Sequence, residues 1–400
     1  MSTPLSAIQK AGLLDQFDSA FLLMDFDRLD NRLAQLLSAF SSKARHAIAI
    51  KTNPMKSVLS HIVQSGLMLE AASFEELVLA EESGAKANQL VFDSPVKRVW
   101  ELEACARRWP GMVVNANNLT ELPRLAALSE LSIGLRINAL VETTAHEHYN
   151  VSHVSSKFGV PIQQREEIIR ACVEFPITGL HMHSGSGVTG ALDNVPAVEK
   201  IVALAEEINR VLAAASIERR IDFLDIGGGL SASVDQEEMR IYGAAVSAIP
   251  YLEKYRIITE FGQWVHTPIG SAYSVVESVD GVGKFRPQAY LHLGADFLMR
   301  HIYSQPRKLQ FNVYDRHGLP KDRGECFAID LVGPLCFAGD VLAENVLLPV
   351  IDEGYWIEIA DVGANTYGLW SRHCSRAVPK IISCQQQVYK IEQERAVIPF

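Results

Sequence analysis

The sequence predicts an α/β protein: a closed barrel of eight parallel β/α units (a TIM barrel) over residues 28–265, with a second, mostly antiparallel β domain, a sandwich or barrel, built from residues 1–27 and 266–400. Three observations carry this. Eight short apolar, β-branched runs recur, each ending in small or polar residues and usually followed by an amphipathic segment. The residues with chemical capacity cluster at the C-terminal ends of those runs, which a barrel gathers at one mouth. After residue 265 the rhythm changes to strands joined by turns. A doubly wound open sheet is the alternative; it would spread the same residues along an edge.

The eight runs are HAIAIKTN (46–53), LMLEAAS (67–73), LVFDSP (90–95), MVVNAN (112–117), IGLRIN (133–138), ITGLHMHS (177–184), FLDIGGG (223–229) and IITEFG (257–262). Helical periodicity fills 55–65, 74–83, 96–108, 119–130, 164–175, 191–216 and 236–248. The fifth connection, 139–163, is a long polar loop. Segments 271–280, 287–295, 326–333, 340–350, 355–361 and 379–391 read as the strands of the second domain, and FLLMDF (21–26) is a candidate to pair with them.

Composition narrows the class. Thirty-seven basic against 47 acidic residues give a net charge of −10, which argues against a nucleic-acid surface. The hydrophobic fraction of 48% excludes a disordered or fibrous chain. No apolar run reaches the roughly 18 residues of a membrane span. The N-terminal residues lack a basic stretch followed by an apolar core, so no secretory signal is expected. The six cysteines contain no CxxC pair and suggest neither a disulfide framework nor a zinc site. A reducing cytoplasm is the expected setting.

Five motifs carry chemistry. Lys51 follows the apolar run AIAI (47–50), where desolvation is expected to lower its pKa and favour a neutral amine able to form a Schiff base; an ordinary strand-end lysine is the plain alternative. LDIGGGLS (224–231) suits a single phosphate better than a dinucleotide or nucleoside triphosphate, since it has neither GxGxxG spacing nor a GKS ending; a tight turn explains it equally well. His181 and His183 in HMHSGSG share one strand face, as a metal pair, as an imidazole stacked on a flat cofactor, or as structural histidines. Glu260 in ITEFGQ needs a cationic partner at that depth, either a pyridinium N–H or an arginine. Cys336 in GPLCFAGD sits between glycines in the β domain. In this order, lysine, HxHxGSG, GGG and glutamate describe a site for pyridoxal 5′-phosphate.

At this point the chain resembles the barrel-type (fold type III) pyridoxal-phosphate decarboxylases, which include diaminopimelate, ornithine and arginine decarboxylases. The resemblance runs from about residue 20 to about 390 through IKTNP, EAASFEEL, LRIN, SKFGV, GLHMHSGSG, LDIGGG, EFG, GPLCFAGD and the GA of DVGAN. It implies that Lys51 is the Schiff-base lysine, that His183 stacks on the ring, and that Ser186, Gly228 and Gly229 contact the phosphate. It implies that Glu260 pairs with the pyridine nitrogen and that Arg136 supports the site from behind the ring. Cys336 matches a cysteine that one subunit presents to its partner to protonate the carbanion after carbon dioxide leaves. A homodimer with shared active sites follows.

Departures from the family pattern bear on substrate. The arginine of EPGR is Gln263, and the tyrosine of GAY is Asn365, with Tyr367 two residues on as a candidate replacement. Phe337 stands where members acting on diamino acids carry Asp or Glu. Arg300 and Tyr303 lie near the family's substrate-carboxylate residues, with altered spacing. The expected activity is α-decarboxylation of an amino acid without a simple distal ammonium. A carboxylate-bearing siderophore precursor such as citryl-diaminopropionate or citryl-serine fits, its acidic end met by Arg300, Arg307, Arg372 or Arg376. The alternative is a diaminopimelate, lysine or ornithine decarboxylase. A pyridoxal-phosphate racemase, a metal-dependent barrel hydrolase using His181 and His183, and a non-catalytic cofactor binder are the readings from other classes.

Overall fold

The computed structural model describes residues 3–304, 308–321 and 324–397. They form two compact units, residues 32–265 and residues 1–31 with 266–400. In chain order the first strand is β1 (Ala20–Asp25). Then follow β2 (Ala44–Ala49), β3 (Met68–Ala71), β4 (Leu90–Phe92), β5 (Val113–Ala116), β6 (Ser132–Asn138), the two-residue β7 (Val160–Pro161), β8 (Ile177–His181), β9 (Phe223–Asp225) and β10 (Arg256–Thr259).

Strands β2 to β6 and β8 to β10 pair in parallel, each with the next. Strand β10 then returns to β2, with Ile257 opposite Ala44. That pairing closes the ring, so the open doubly wound alternative does not hold. Closure requires each strand to bury both faces, which is why the runs read as continuous apolar stretches rather than alternating ones. Ala47, Met68, Val91, Val113, Phe223 and Ile258 pack together inside. The Phe223 ring occupies the space beside Gly179, whose Cβ would lie 2.0 Å from Cζ of that ring, so only glycine fits there. This filled lower layer makes the barrel a solid base and leaves polar groups to its upper mouth.

The other unit adds β11 (Gly270–Asp280), β12 (Gln288–Leu291), β13 (Gln310–Tyr314), β14 (Cys326–Val332), β15 (Val341–Pro349), β16 (Trp356–Ala360), β17 (Lys380–Gln385) and β18 (Val388–Gln393). Its main path runs β15-β14-β12-β11-β1-β17-β18, with β16 joining β11 to β13. Most pairs are antiparallel; β1 with β17 and β12 with β14 are parallel. A short helix, Pro4–Lys10, precedes the sheet, its first turn capped by the Thr3 side chain accepting from the Ser6 N–H. Its Leu5 and Ile8 are buried with Phe21, Tyr273, Trp356 and Ile382. Among the described residues no helix is long and apolar enough to cross a membrane.

Candidate active site

Each charged group at the barrel mouth is delivered by the end of a different strand. Lys51 lies in a single 3-10 turn, Ile50–Thr52, directly after β2. The Thr52 hydroxyl donates to the Ala49 carbonyl (2.8 Å) and fixes that turn. Nζ of Lys51 pairs with Oε2 of Glu70, a wholly buried carboxylate on β3. The Lys51 side chain is half exposed; its partial desolvation would lower the lysine, but the carboxylates of Glu70, Glu260 and Asp93 outweigh it and raise its pKa. The expectation of a desolvated, neutral Lys51 is therefore corrected: the carboxylates contributed by other strands keep it an ammonium. Glu70 is itself pushed up to about 8 by burial, against the pull of the Lys51 charge. Burial thus favours a proton on Glu70, so it is a ready acceptor for the proton that Lys51 gives up.

Behind this pair runs a row of alternating charges. Nη1 of Arg136, on β6, lies 3.0 Å from Oδ2 of Asp93, just after β4. Oδ1 of Asp93 is 3.3 Å from Nδ1 of His181, the last residue of β8. Nε2 of His181 is 3.6 Å from Oε2 of Glu260, just after β10. Burial raises the Asp93 carboxyl, yet Arg136 and His181 hold it well below the usual carboxylate range. Burial likewise opposes a charged His181, but Asp93, Glu260 and Asp225 push it up to about 10. Glu260 is held below its ordinary value, burial being outweighed chiefly by His181. Its Oε1 is buried with no hydrogen-bond partner. Asp93, His181 and Glu260 bring three ligand-type atoms within 4.8 Å of one another. The Arg136 guanidinium on Asp93 already supplies the positive charge that a cation would bring there.

The glycine run follows β9, between the ends of β8 and β10. Glu260 N–H donates to the Gly227 carbonyl (2.7 Å), and Gly227 N–H donates to Oδ1 of Asp225 (3.0 Å). Gly228 N–H donates to Nδ1 of His183 at 3.3 Å. Burial, then Arg136, depresses His183 to about 3, so its ring is a neutral, flat acceptor. The run comes so close to neighbouring backbone that side chains are excluded. A Cβ on Gly228 would lie 2.2 Å from the Glu260 carbonyl oxygen. One on Gly229, at φ +96°, would lie 1.9 Å from that of Gly185. Ser186 follows, its N–H donating to the Tyr149 carbonyl (3.1 Å).

The structure thus brings Lys51, Arg136, His183, Gly228, Gly229 and Glu260 to one barrel mouth, with Ser186 in the adjoining loop. Sequence reasoning passed over Glu70, Asp93 and Asp225. Their signal was present, since each acid closes an apolar run (LMLE, LVFD, FLD). Asp225 is wholly buried, and burial together with Glu260 raises its carboxyl well above the ordinary value.

The remaining predicted residues belong to the other unit. Cys336 is exposed in a tight turn between β14 and β15. Asp340 ties that turn down: its Oδ2 accepts the Leu335 N–H (2.7 Å) and its Oδ1 the Ala295 N–H (2.6 Å). Phe337, next to Cys336, packs against Tyr303, ring centres 5.5 Å apart. Arg300 and Tyr303 lie in one turn of π-helix, Arg300–Ser304, that extends the helix Ala295–Met299. The Tyr367 hydroxyl donates to Oε1 of Gln393 (3.0 Å) inside this unit. Arg376 pairs with Asp296 (3.4 Å). Arg307 lies outside the described residues.

Comparison with known proteins agrees with this geometry. Residues 26–266 match the pyridoxal binding domain of pyridoxal-dependent decarboxylases, and residues 210–363 their C-terminal sheet domain. The chain is 27% identical to a diaminopimelate decarboxylase of Deinococcus radiodurans, covering 95% of this chain and 93% of that one. It is 25% identical to that of Methanothermobacter thermautotrophicus, covering 96% and 90%. Among solved structures, diaminopimelate decarboxylase from Helicobacter pylori with L-lysine superposes with a TM-score of 0.84 at 22% identity, covering 96% of both chains. Lysine/ornithine decarboxylase from Vibrio vulnificus with cadaverine gives 0.80 at 21%, covering 96% of this chain and all of that one. The chain belongs to the pyridoxal-dependent decarboxylases: it is a carboxy-lyase that works with pyridoxal phosphate.

Proposed function

We propose that this enzyme removes the α-carboxylate of a long amino acid with a polar distal end, and that diaminopimelate is the first candidate. The observation that carries the reaction type is Lys51 at the mouth of a closed barrel, its ammonium paired with a buried proton acceptor, Glu70. The relatives named diaminopimelate decarboxylase, aligned along nearly the whole chain, support the substrate class.

Lys51 would hold pyridoxal phosphate, and the cofactor when bound would supply the electron sink for the pair left on Cα as carbon dioxide departs. The chain's own residues do the rest. Glu70 takes the proton that the Lys51 ammonium must lose before its nitrogen can act as a nucleophile. The neutral imidazole of His183 offers a flat face to the ring. Around the close-packed Gly228, the Gly229 N–H and the Ser186 hydroxyl would be the donors to the phosphate. The unpartnered Oε1 of Glu260 would accept the pyridine N–H. Cys336 delivers a proton to Cα from a partner subunit in a homodimer. Mixing inactive Lys51→Ala and Cys336→Ala subunits should then restore activity; no recovery would refute the shared site.

A second substrate reading is favoured by one residue. Phe337 cannot form an ion pair with a distal ammonium, and its face holds a cation more weakly. A citryl conjugate, with carboxylates in place of that ammonium, suits Phe337 and Arg300 better, and would place the enzyme in siderophore assembly. Carbon dioxide release from meso-diaminopimelate, lysine, ornithine, citryl-diaminopropionate and citryl-serine separates the two. Release from diaminopimelate in clear preference to the conjugates supports the first reading, and release from a conjugate alone replaces it with the second.

A further inference from the structure

The row Arg136, Asp93, His181 and Glu260 alternates in sign, successive members facing one another at ion-pair distances of 3.0, 3.3 and 3.6 Å. His181 sits opposite Arg136 in the β6–β8 register and opposite Asp225 in the β8–β9 register, so it occupies the middle of one barrel layer. It is wholly buried. Its two ring nitrogens face two different carboxylates, at 3.3 and 3.6 Å. Glu260 ends the row: Oε2 faces His181, and Oε1 has no hydrogen-bond partner although buried.

Burying four ionisable groups costs several kcal/mol per ion before their attraction offsets it, and an apolar substitute is often the more stable choice. Such a row is a poor stabiliser, which points to a positional role. We propose that His181 is a positioning residue for the cofactor ring: facing Oε2 of Glu260 at ion-pair distance, with Asp93 and Arg136 behind it, it orients that carboxylate so that Oε1 is left as the acceptor for the pyridine N–H. His181 touches neither cofactor nor substrate in this role and acts only through Glu260. The proposal rests on the assignment of the Lys51 barrel mouth as the cofactor site.

The test is a double-mutant cycle read by visible-absorbance titration of the full-length protein with pyridoxal phosphate, which needs no knowledge of the substrate. By analogy with the outer partners of metal ligands, His181→Gln should raise the cofactor Kd roughly tenfold or more. In the Glu260→Gln background the same change should move Kd less than about twofold, because the group His181 acts on is gone. Equal fold-changes in both backgrounds would overturn the proposal, as would an unchanged Kd for His181→Gln or for Glu260→Gln. A merely structural role lowers the unfolding midpoint but gives that equal effect. Should His181→Gln fail to fold, Asp93→Asn, which removes the anionic side of the clamp, is put through the same cycle with the same expectations. Lys51→Ala, scored separately for loss of covalently held cofactor, reports whether the site assignment itself stands.

Discussion

Gly228→Ala adds one methyl group at the point where the glycine run meets the strand that bears Glu260. The φ of Gly228 is not in the left-handed region, so the cost is one of space alone. The new Cβ would lie 2.2 Å from the carbonyl oxygen of Glu260, 2.6 Å from its carbonyl carbon and 3.1 Å from the Phe261 nitrogen. All three are backbone atoms and cannot rotate aside. The oxygen is about 1.2 Å short of ordinary contact, so the Glu260 backbone must retreat by about that much. Overpacking of this kind costs about 1–3 kcal/mol. Losing the 2.7 Å bond from Glu260 N–H to the Gly227 carbonyl adds about 0.5–1.5 kcal/mol. The expected destabilisation is therefore about 2–4 kcal/mol in urea unfolding of the cofactor-free protein. A shift of about 1 Å in a positioned group can cost about a hundredfold in rate, so turnover of the loaded enzyme should fall on that order. Gly324→Ala is the control, with no atom within 4 Å of its Cβ. A Gly228→Ala protein as stable as that control, with normal turnover, would refute the cradle.

Three further outcomes follow from the same geometry. Arg136→Met strips the counter-ion from buried Asp93 and should destabilise by about 3–5 kcal/mol at neutral pH in denaturant unfolding. Asp93 is depressed in the fold, so the stability it lends is fully present above the ordinary aspartate value and is lost progressively as pH falls from there through the lower folded value; the gap between variant and parent should begin to narrow below about 4. His46, buried with Nδ1 2.8 Å from the Thr259 hydroxyl, is lowered by burial from 6.5 to about 4. Its contribution is present above 6.5 and lost as pH falls toward 4, so the parent should lose about 2 kcal/mol more than His46→Gln between pH 7 and pH 5. Cys336→Ala removes an exposed side chain, so stability should hold within about 0.5 kcal/mol, while turnover drops about a hundredfold or more if the thiol delivers the proton.

The barrel was legible because eight buried strands must be apolar throughout and must end abruptly at the mouth, and both features are local. Lys51, His183, the glycine run and Glu260 were legible for the same reason: each stands out against the apolar run before it. Glu70, Asp93 and Asp225 were not, although each closes such a run. A lone acid at a strand end acquires meaning only from the cations that closure of the ring brings to it from other strands. The same blindness reversed the expectation for Lys51. Desolvation of Lys51 is a property of its own strand, whereas the three carboxylates that outweigh it arrive from β3, β4 and β10. In the second unit the parallel pairings of β1 with β17 and β12 with β14 join segments far apart in sequence, where no turn signal announces the register.

The most direct test of the account is to find the residue that carries the cofactor. The loaded protein is reduced with borohydride, digested, and its peptides are searched by mass for a pyridoxyl group. The adduct is expected on Lys51, with none formed in Lys51→Ala. An adduct on another lysine, such as the buried Lys97 beside Glu121 (2.9 Å), would contradict the assignment of the barrel mouth and every role derived from it.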